Sequence, residues 1–530
     1  RTRPELPAGV APLFGAMARR RRTLEERLLA RLDAAGWEEV VLPVLDFLAP
    51  YEPLLGAAGR ELYRFSDRDG ETLALRADFT PMLARLLAPR LASLTLPLRC
   101  FYRGDVVRRR EASLGGEREL YQLGGELVGV PGSAGDAEAL GTFLALLRAA
   151  TDAPLRLVLG CAGALDELLL AAADPAALAR AVSRRERAAA REASPALLEV
   201  VEEGMPRDLR VLGPAAAARV AELAELARRA AALPGVEVAI DLAELAPGRH
   251  PSLAAGGERP YYDGPIFRAW VGDDALPVGG GGRYDGLFAA LGSPVPAVGF
   301  SLALDRLLAR EPAPGAAAPA PRLLRLALPK GRNLPVALAA LRAAGLALDG
   351  LDPEGRRLWQ PFPADDVEVL LLKDWDLPLY VERGIADVGV VGSDVLGEVD
   401  GDLAVPLRLR DGRARLSLVG PPSGLPPAGS AVRVATKYPL TARRALAGFP
   451  WAAEVCRIAG SVELAPLLAL ADLGFDVVQT GATLRAHGLA ELAVVDEVTP
   501  CLVASRAACQ RFRRRLNGWL ERLEAAAVAV

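Results

Sequence analysis

Two regions of the chain differ in how apolar segments alternate with polar ones. In the first, a helical pattern from Met17 to Ala35 precedes short strand-like runs, and an Ala- and Leu-rich helical stretch runs from about Ala134 to Leu233. The strands predicted there are Glu39–Pro43, Thr72–Ala77, Leu98–Tyr102, Arg118–Leu123, Glu126–Val130, Val236–Ile240, Ile266–Val271 and Val298–Leu302. Strands grouped around helices, without regular alternation, favour an α+β fold on an antiparallel sheet.

In the second region short apolar strands alternate with helical segments. This pattern is typical of parallel α/β sheets, whose ligand sites lie at the carboxyl ends of the strands. The predicted strands are Leu324–Leu328, Val367–Leu372, Asp387–Val391, Val432–Ala435, Phe475–Gln479 and Cys501–Ala504. The chain is expected to leave a first lobe near residue 416 and to return near Pro500, so two lobes with a cleft between them are predicted.

Between these regions, alternating Pro and Ala over residues 311–322 predict an exposed linker. The predicted domains are therefore residues 1–310 and 323–530, with a second lobe at about 416–500. The net charge of −3 gives no sign of a nucleic-acid surface. Five scattered cysteines fit a reducing cytosol, and two histidines exclude a histidine-based zinc site. Without an apolar leader or a run of membrane-spanning length, we expect a cytoplasmic protein with no membrane partner.

The segment from Phe475 to Leu484 joins a short apolar strand to a loop of small residues and then to a helix start. Free backbone N–H groups in such a loop suit a phosphate. Gly481 permits close approach of the backbone, the threonine hydroxyls at Thr480 and Thr483 are donors, and Asp476 can accept from sugar hydroxyls. An ordinary turn between a strand and a helix is the alternative.

A second candidate phosphate site is the segment Leu328–Arg332, which ends the first predicted strand of this region. Lys330 can act there as a point charge and Arg332 as a bidentate fork, although a solvated basic turn is the alternative. Small-residue stretches also lie beside strands at 435–439 and 460–466.

Together, the motifs between Leu323 and Val530 resemble ATP phosphoribosyltransferase, the first enzyme of histidine biosynthesis. The resemblance implies a two-lobed α/β fold like that of periplasmic binding proteins. It also implies transfer of phosphoribosyl from phosphoribosyl pyrophosphate (PRPP) to N1 of ATP, with release of pyrophosphate and with Mg²⁺ as cofactor. The residues it implies for PRPP are Asp476, Thr480, Gly481, Ala482, Thr483 and Leu484. Those for ATP are Lys330, Gly331, Arg332, Lys373, Asp394 and Tyr438, and those for catalysis are Glu463, Asp476 and Lys330. No protein ligand of a metal is assigned.

Two positions depart from the family pattern: Lys373 stands where an arginine is usual, and His487 stands where an asparagine is usual. The first change keeps the charge but loses the bidentate fork. The chain ends soon after a predicted helix at Gln510–Ala526, which predicts the short form of the enzyme.

In the first region, Asp78, Gln122 and Glu126 are acceptors suited to an ammonium and an imidazole. Gln122 and Glu126 share a face if their segment is a strand. Taken singly, each is a surface or structural polar group in the alternative interpretation. With the motifs 75–81, 100–104, 279–286 and 299–306, residues Leu13 to Arg310 resemble class II histidyl-tRNA synthetase. They resemble more closely its catalytically silent paralogue, the regulatory subunit of short-form ATP phosphoribosyltransferase, and both imply a class II synthetase-like antiparallel sheet domain.

The resemblance implies a histidine pocket formed by Asp78, Arg103, Gln122, Glu126, Tyr261 and Tyr262. Gly257 stands in place of the synthetase's histidine-contacting arginine, Arg259 is displaced by two positions, and no anticodon-binding domain follows. We therefore expect a fusion of regulatory and catalytic subunits that histidine inhibits and that forms a homo-oligomer. The rival hypotheses are an active synthetase, a solute receptor in the second region, and a first region that is only an assembly scaffold.

Overall fold

The computed structural model describes residues 6–7, 9–49, 62–109, 117–244, 262–309, 323–399, 401–526 and 528. The chain divides into two compact units, Arg1–Ala320 (unit 1) and Pro321–Val530 (unit 2). The predicted linker, residues 311–322, lies outside the described residues. Within the described ranges, no helix has the length and apolar character needed to cross a membrane.

Unit 1 contains strands and both long and short helices in its described residues. The strands are β1 Glu38–Glu39, β2 Leu45–Phe47, β3 Arg64–Ser66, β4 Thr72–Leu75, β5 Leu98–Val107, β6 Glu119–Val128, β7 Leu155–Cys161, β8 Val236–Ile240, β9 Pro265–Val271, β10 Gly279–Arg283 and β11 Ala297–Ala303. The α-helices are α1 Gly15–Ala34, α2 Thr80–Leu87, α3 Gly132–Ala150, α4 Asp166–Leu170, α5 Pro175–Ser183, α6 Arg187–Ala193, α7 Pro195–Glu203, α8 Pro214–Ala231, α9 Asp285–Ala290 and α10 Leu304–Leu308. The 3₁₀ helices are Ala88–Ser93 and Leu209–Leu212.

Eight of these strands form one mixed sheet in the order β1-β5-β6-β11-β10-β9-β7-β8. Neighbouring strands are antiparallel through the centre, and the edge pairs β1/β5 and β7/β8 are parallel. The predicted antiparallel platform is therefore confirmed for the centre of the sheet and wrong for its edges. A separate antiparallel sheet has the order β2-β4-β3.

The two runs predicted on either side of Gly124 and Gly125 form a single strand, β6. The glycines do not end the strand because they pair with β5 on one side and β11 on the other. Large rings occupy the space that side chains at these positions would need. A Cβ at Gly124 would lie 2.5 Å from the ring of Tyr102, and one at Gly125 would lie 2.8 Å from Phe300. Close ring packing therefore explains why glycine occupies both positions within the strand.

The two faces of the large sheet carry different clusters. One face packs against α1, α3 and α8 through Leu28, Phe143 and Leu223, all of them buried. Smaller clusters include Phe79 and Tyr102 beside α2, and Tyr284 with Phe288 at α9. Tyr102 and Tyr284 belong to the candidate site described below.

Unit 2 alternates strands with short helices in its described residues. The strands are β12 Leu324–Pro329, β13 Trp359–Phe362, β14 Val367–Leu372, β15 Val388–Gly392, β16 Leu403–Arg408, β17 Ala414–Gly420, β18 Ala431–Thr436, β19 Ala452–Arg457, β20 Leu473–Val478, β21 Ala490–Val498 and β22 Pro500–Ser505. The α-helices are α11 Leu334–Ala343, α12 Leu377–Glu382, α13 Ser393–Glu398, α14 Pro439–Leu446, α15 Leu464–Leu467, α16 Ala482–Ala486, α17 Arg506–Arg511 and α18 Arg513–Ala525, and Pro363–Asp365 is a 3₁₀ helix.

These strands form two sheets, which define two lobes. Lobe 1 has the order β13-β14-β12-β15-β22-β16 and lobe 2 the order β19-β18-β20-β17-β21. The chain passes from lobe 1 to lobe 2 between Arg408 and Ala414, slightly earlier than the predicted position near 416, and returns between Val498 and Pro500.

The prediction of wholly parallel sheets is wrong, because parallel strands occupy only one part of each sheet. In lobe 1, β14, β12 and β15 are parallel, whereas β13, β22 and β16 pair antiparallel. In lobe 2, β19, β18 and β20 are parallel, and β17 runs antiparallel to both of its neighbours. Both chain crossings adjoin antiparallel strands of lobe 1: the first crossing follows β16, and the second leads into β22.

Candidate functional site

The parallel strands of unit 2 place most of the predicted substrate residues on the loops that follow them. In lobe 1, Lys330 follows β12, Lys373 follows β14, and Asp394 lies in the first turn of α13, after β15. In lobe 2, Lys437 and Tyr438 follow β18, and the segment 479–484 follows β20. The carboxyl ends of parallel strands are the usual place for ligands in such sheets.

Asp394 of lobe 1 and Tyr438 of lobe 2 are in direct contact. The Tyr438 hydroxyl donates to Oδ2 of Asp394 at 2.5 Å, and Nη2 of Arg332 lies 3.7 Å from the same oxygen. Burial, and then the negative charge of Asp394, raise the pKa of Tyr438, so its phenol is a donor at neutral pH. The structure therefore brings together three of the residues predicted for ATP.

Asp374, which the sequence analysis did not select, joins this group. Its Oδ2 accepts from Asn333 at 3.4 Å, whereas its Oδ1 is buried without a hydrogen-bond partner among the described residues. Oδ1 of Asp394 is also buried without a hydrogen-bond partner among the described residues. Burial and then the charge of Asp394 raise the pKa of Asp374, while Arg332 and Lys437 act in the opposite direction. The signal in the sequence was an acidic residue two positions after a predicted strand.

Lys437 and Asp476 form an ion pair within lobe 2. Nζ of Lys437 lies 3.2 Å from Oδ1 of Asp476, which also accepts the backbone N–H of Val477 at 2.7 Å. Both side chains are partly exposed, at 29% and 22% respectively. The pair places a cation and a carboxylate at the ends of β18 and β20.

The loop after β20 contains a glycine in the left-handed conformation. Gly481 has a positive φ of 68°, a conformation that glycine adopts readily. Thr480 Oγ1 accepts the N–H of Ala482 at 3.3 Å, and Arg485 donates to the Thr480 carbonyl at 3.0 Å. The helix starts at Ala482 rather than at Leu484.

Three other predicted residues lie at the same strand ends, and a fourth lies on a connection of lobe 2. Lys330 and Lys373 are exposed on adjoining strands, where the Lys330 N–H donates to Leu372 at 2.7 Å. Gly331 has a φ of 103°. Glu463 is half-buried just before α15, on the connection between β19 and β20.

In unit 1, Glu126 is enclosed by hydroxyl groups. Its carboxylate accepts from Thr80 Oγ1 at 2.5 Å and from the Tyr102 hydroxyl at 3.0 Å, and the Tyr284 hydroxyl donates to its other oxygen. The side chain is 1% exposed, and burial raises the pKa of Glu126 to about 7 although the three hydroxyls lower it. Nearby Asp78 raises it further. The sequence analysis selected Glu126 and not its three donors, although Thr80, Tyr102 and Tyr284 all stood within motifs that it quoted.

Gln122 lies with Glu126 on one face of β6, as expected for residues four apart on a strand. It is 8% exposed. Asp78 caps the backbone N–H of Thr80 at 3.2 Å. Tyr262 is half-buried beside Gly282, where an added Cβ would lie 2.8 Å from its ring. Tyr261 lies outside the described residues.

Arg103 does not belong to this group, so the prediction that included it is wrong. It pairs with Leu123, one position away from Gln122, and therefore points to the opposite face of the sheet. Its guanidinium binds Glu25 at 2.6 Å and Glu39 at 2.9 Å. The two-residue period of a strand explains the separation.

Comparisons with known proteins agree with this division of the chain. The family model of histidyl-tRNA synthetase matches residues 9–307, and that of ATP phosphoribosyltransferase matches residues 373–525. An ATP phosphoribosyltransferase regulatory subunit of Symbiobacterium thermophilum is 38% identical over 379 residues, covering 67% of this chain and 94% of that protein. An ATP phosphoribosyltransferase of Thermus thermophilus is 44% identical over 200 residues, covering 38% of this chain and 95% of that protein.

A solved structure of an ATP phosphoribosyltransferase regulatory subunit/histidyl-tRNA synthetase from Bacillus halodurans C has a TM-score of 0.49 at 21% identity, covering 70% of this chain and 100% of that chain. The curated relatives are matched over nearly their full lengths, one set by each part of the chain. The chain therefore belongs to the histidyl-tRNA synthetase family over residues 9–307 and to the ATP phosphoribosyltransferase family over residues 373–525, joining a region like the regulatory subunit to the catalytic region of an ATP phosphoribosyltransferase.

Proposed function

We propose that the strand ends shared by the two lobes of unit 2 bind ATP and PRPP for the phosphoribosyl transfer, and that histidine bound in unit 1 inhibits it. The observation that carries the first part is the contact of Arg332, Asp394 and Tyr438 across the lobes. We further propose that the lobes close about their two crossings, as in a periplasmic-binding-protein-like fold, because both crossings are short.

PRPP would bind on lobe 2. The loop residues Thr480 to Leu484 would hold its 5′-phosphate, since the open conformation of Gly481 lets backbone N–H groups approach an anion. Asp476 would accept from a ribose hydroxyl, and Lys437, now 3.2 Å from that carboxylate, would turn toward the phosphates.

ATP would bind against lobe 1. The exposed cations Lys330, Arg332 and Lys373 suit its triphosphate, and Gly331 with its positive φ suits close backbone contact. In the reaction the adenine N1 forms a bond to C1′ of PRPP, the bond from C1′ to the pyrophosphate oxygen breaks, and pyrophosphate leaves with the electron pair. Catalysis would come from holding the reacting atoms in line and from stabilising the departing charge.

Mg²⁺ remains a proposal for this chain, and the donor set of lobe 2 fits it. The described residues contain no group of three His, Cys, Asp or Glu side chains placed to hold a metal. Mg²⁺ bound with substrate phosphates needs only one or two protein carboxylates. Glu463 and Asp476, on the loop before β20 and near its carboxyl end, would hold it. The ion would neutralise charge on the departing pyrophosphate.

Asp476→Asn tests the assignment of PRPP to lobe 2. We expect the KM for PRPP to rise about tenfold or more, because a charged acceptor is lost, while the KM for ATP changes little. Asp472→Asn is the matched control, since Asp472 is exposed on the same lobe and caps Arg433. Equal effects of the two substitutions on the KM for PRPP would contradict the assignment.

The proposed histidine site is the pocket around Glu126, Gln122 and Asp78. Its support is the buried carboxylate of Glu126, with Asp78 close enough to raise its pKa and with Gln122 on the same face of β6, and these acceptors suit the ammonium and imidazole N–H groups of histidine. Histidine would inhibit the reaction in unit 2 by binding one of two conformational states of the chain more tightly than the other. Binding would then shift the chain toward the less active state.

Calorimetric titration of the full chain with histidine tests this site. We expect saturable binding that Glu126→Gln weakens about tenfold or more, because the ligand then faces a neutral acceptor. Glu119→Gln is the matched control, because Glu119 is an exposed acid at the start of the same strand. Unchanged affinity in Glu126→Gln would favour the scaffold hypothesis, and charging of tRNA with histidine would favour the synthetase.

We also propose that the chain forms a homo-oligomer in the cytoplasm. The small sheet of unit 1 leaves apolar side chains exposed at Leu45, Phe47 and Phe65, by 45%, 51% and 41%. Adjacent exposed apolar residues of this kind are typical of subunit interfaces. Sedimentation equilibrium would show a mass above 55.8 kDa if the proposal holds and that of one chain if it does not.

A further inference from the structure

Trp375 is an exposed aromatic side chain of lobe 1 that contacts lobe 2. It follows β14 in lobe 1, and its ring is stacked on that of Tyr438 in lobe 2, with centroids 5.4 Å apart and planes at 29°. Tyr438 is 1% exposed, whereas Trp375 remains 38% exposed. A tryptophan with one face packed and part of its ring open to solvent provides an apolar platform for a flat ligand.

Asp374 precedes Trp375 and presents a buried acceptor. Its Oδ1 has no hydrogen-bond partner among the described residues, and its Oδ2 has only a long contact of 3.4 Å with Asn333. Asp374 lies on the loop after β14, and the charges of Arg332 in lobe 1 and of Lys437 in lobe 2 both act on its carboxylate. A buried polar atom without a partner is costly unless a ligand supplies one.

A stacking platform next to a carboxylate acceptor suits a purine with an exocyclic amino group. We propose that the adenine of ATP stacks on Trp375 and donates an amino N–H to Asp374, which makes these two residues the determinants of nucleotide specificity. The inference rests on the proposed binding of ATP in this cleft. Neither residue was selected from the sequence, and it is their contacts that single them out.

The charge of Asp374 also suits the chemistry. When N1 of adenine bonds to C1′, the ring becomes a cation whose charge is shared between N1 and the exocyclic nitrogen, while pyrophosphate takes the electron pair of the broken bond. No proton needs to move in this step. A carboxylate on the amino group therefore binds the transition state more tightly than the ground state, which lowers the barrier.

The first test compares ATP with purine riboside 5′-triphosphate, in which hydrogen replaces the amino group and N1 is retained. The measured quantity is the ratio of kcat/KM for the two nucleotides at saturating PRPP. Asp374→Ala should reduce this ratio about tenfold or more, and Asp374→Asn, which keeps an acceptor oxygen, should restore part of it. Glu521→Ala, at an exposed acid on α18, should leave the ratio unchanged.

The second test concerns the platform. Trp375→Leu should raise the KM for ATP about tenfold and leave the KM for PRPP unchanged, and Trp375→Phe should retain most of the affinity. Trp359→Leu is the control, since Trp359 is 59% exposed on the edge strand β13. If the stacked pair served only to join the lobes, both KM values would rise together.

The outcomes separate this inference from the proposed function. Absence of pyrophosphate release from ATP and PRPP in the unsubstituted chain would overturn the proposed function. Turnover in that chain, with an unchanged nucleotide ratio in Asp374→Ala or an unchanged KM for ATP in Trp375→Leu, would overturn the inference alone.

Discussion

Tyr438→Phe tests whether the hydrogen bond between the lobes of unit 2 serves the reaction. The substitution removes the hydroxyl that donates to Oδ2 of Asp394 at 2.5 Å, and the phenyl ring fills the same buried space against Trp375. Oδ1 of Asp394 already has no hydrogen-bond partner among the described residues. The variant therefore withdraws a donor from a buried carboxylate and leaves the packing in place.

The expected loss follows from the type of hydrogen bond. A hydrogen bond to a charged group contributes about 1.5–3 kcal/mol, or about 10- to 150-fold in a rate constant. We expect kcat/KM for ATP to fall within this range and the KM for PRPP to change less. Because burial and the charge of Asp394 raise the pKa of Tyr438, its phenol stays protonated, and the loss should be constant from about pH 6 to 9.

The assay is the initial rate of pyrophosphate release at varied ATP and saturating PRPP. It would include Tyr438→Phe, Asp394→Asn, the double variant, and Tyr380→Phe as a control at a half-buried tyrosine of α12. Since both residues share one interaction, the double variant should lose little more than the worse single variant. A loss below about twofold, or losses that multiply in the double variant, would refute the reasoning.

Four further predictions concern the two sites. In Gly299→Ala the new Cβ would lie 1.6 Å from Oε2 of Glu126, so histidine binding should be lost in calorimetry while basal pyrophosphate release persists. Burial raises the pKa of Glu126 from 4.5 to about 7, so the folded chain holds a proton that the unfolded chain releases. Stability should therefore fall as pH rises from about 5 to 8, by on the order of 3 kcal/mol, and the unfolding midpoint of Glu126→Gln should lack this component. Lys437→Met removes the partner of Asp476 and a cation near the phosphates, and kcat/KM for PRPP should fall about tenfold. Gly481→Val imposes a strained positive φ and should raise the KM for PRPP with little change for ATP, as measured by initial rates.

Strands with strong apolar runs could be predicted from the sequence, and strands made of small residues could not. The run Val367–Leu372 is a strand with the predicted bounds. The four glycines of β10 carry no apolar signal, yet they form a strand because they pair with β9 on one side and β11 on the other. Neighbouring backbone leaves no room for side chains there. A Cβ at Gly281 would lie 2.0 Å from the carbonyl of Gly299. Tertiary packing, which is absent from local propensity, decides such cases.

For the candidate site, too, local features could be predicted from the sequence, whereas features that depend on tertiary structure could not. The sequence correctly placed Gln122 and Glu126 on one face of a strand, because the two-residue period is a local property. It did not reveal that Arg103 is on the opposite face, since this depends on the register of β5 against β6. It also could not show that Asp394 and Tyr438, from different lobes, are in direct contact.

The central claim is that one chain both transfers phosphoribosyl and responds to histidine. The most direct measurement is pyrophosphate release from ATP and PRPP with Mg²⁺, at rising histidine, for the unsubstituted chain and Glu126→Gln. The account predicts turnover that histidine suppresses in the unsubstituted chain, and a much weaker response in Glu126→Gln. Turnover indifferent to histidine in both chains would contradict the regulatory part, and no turnover in the unsubstituted chain would contradict the whole account.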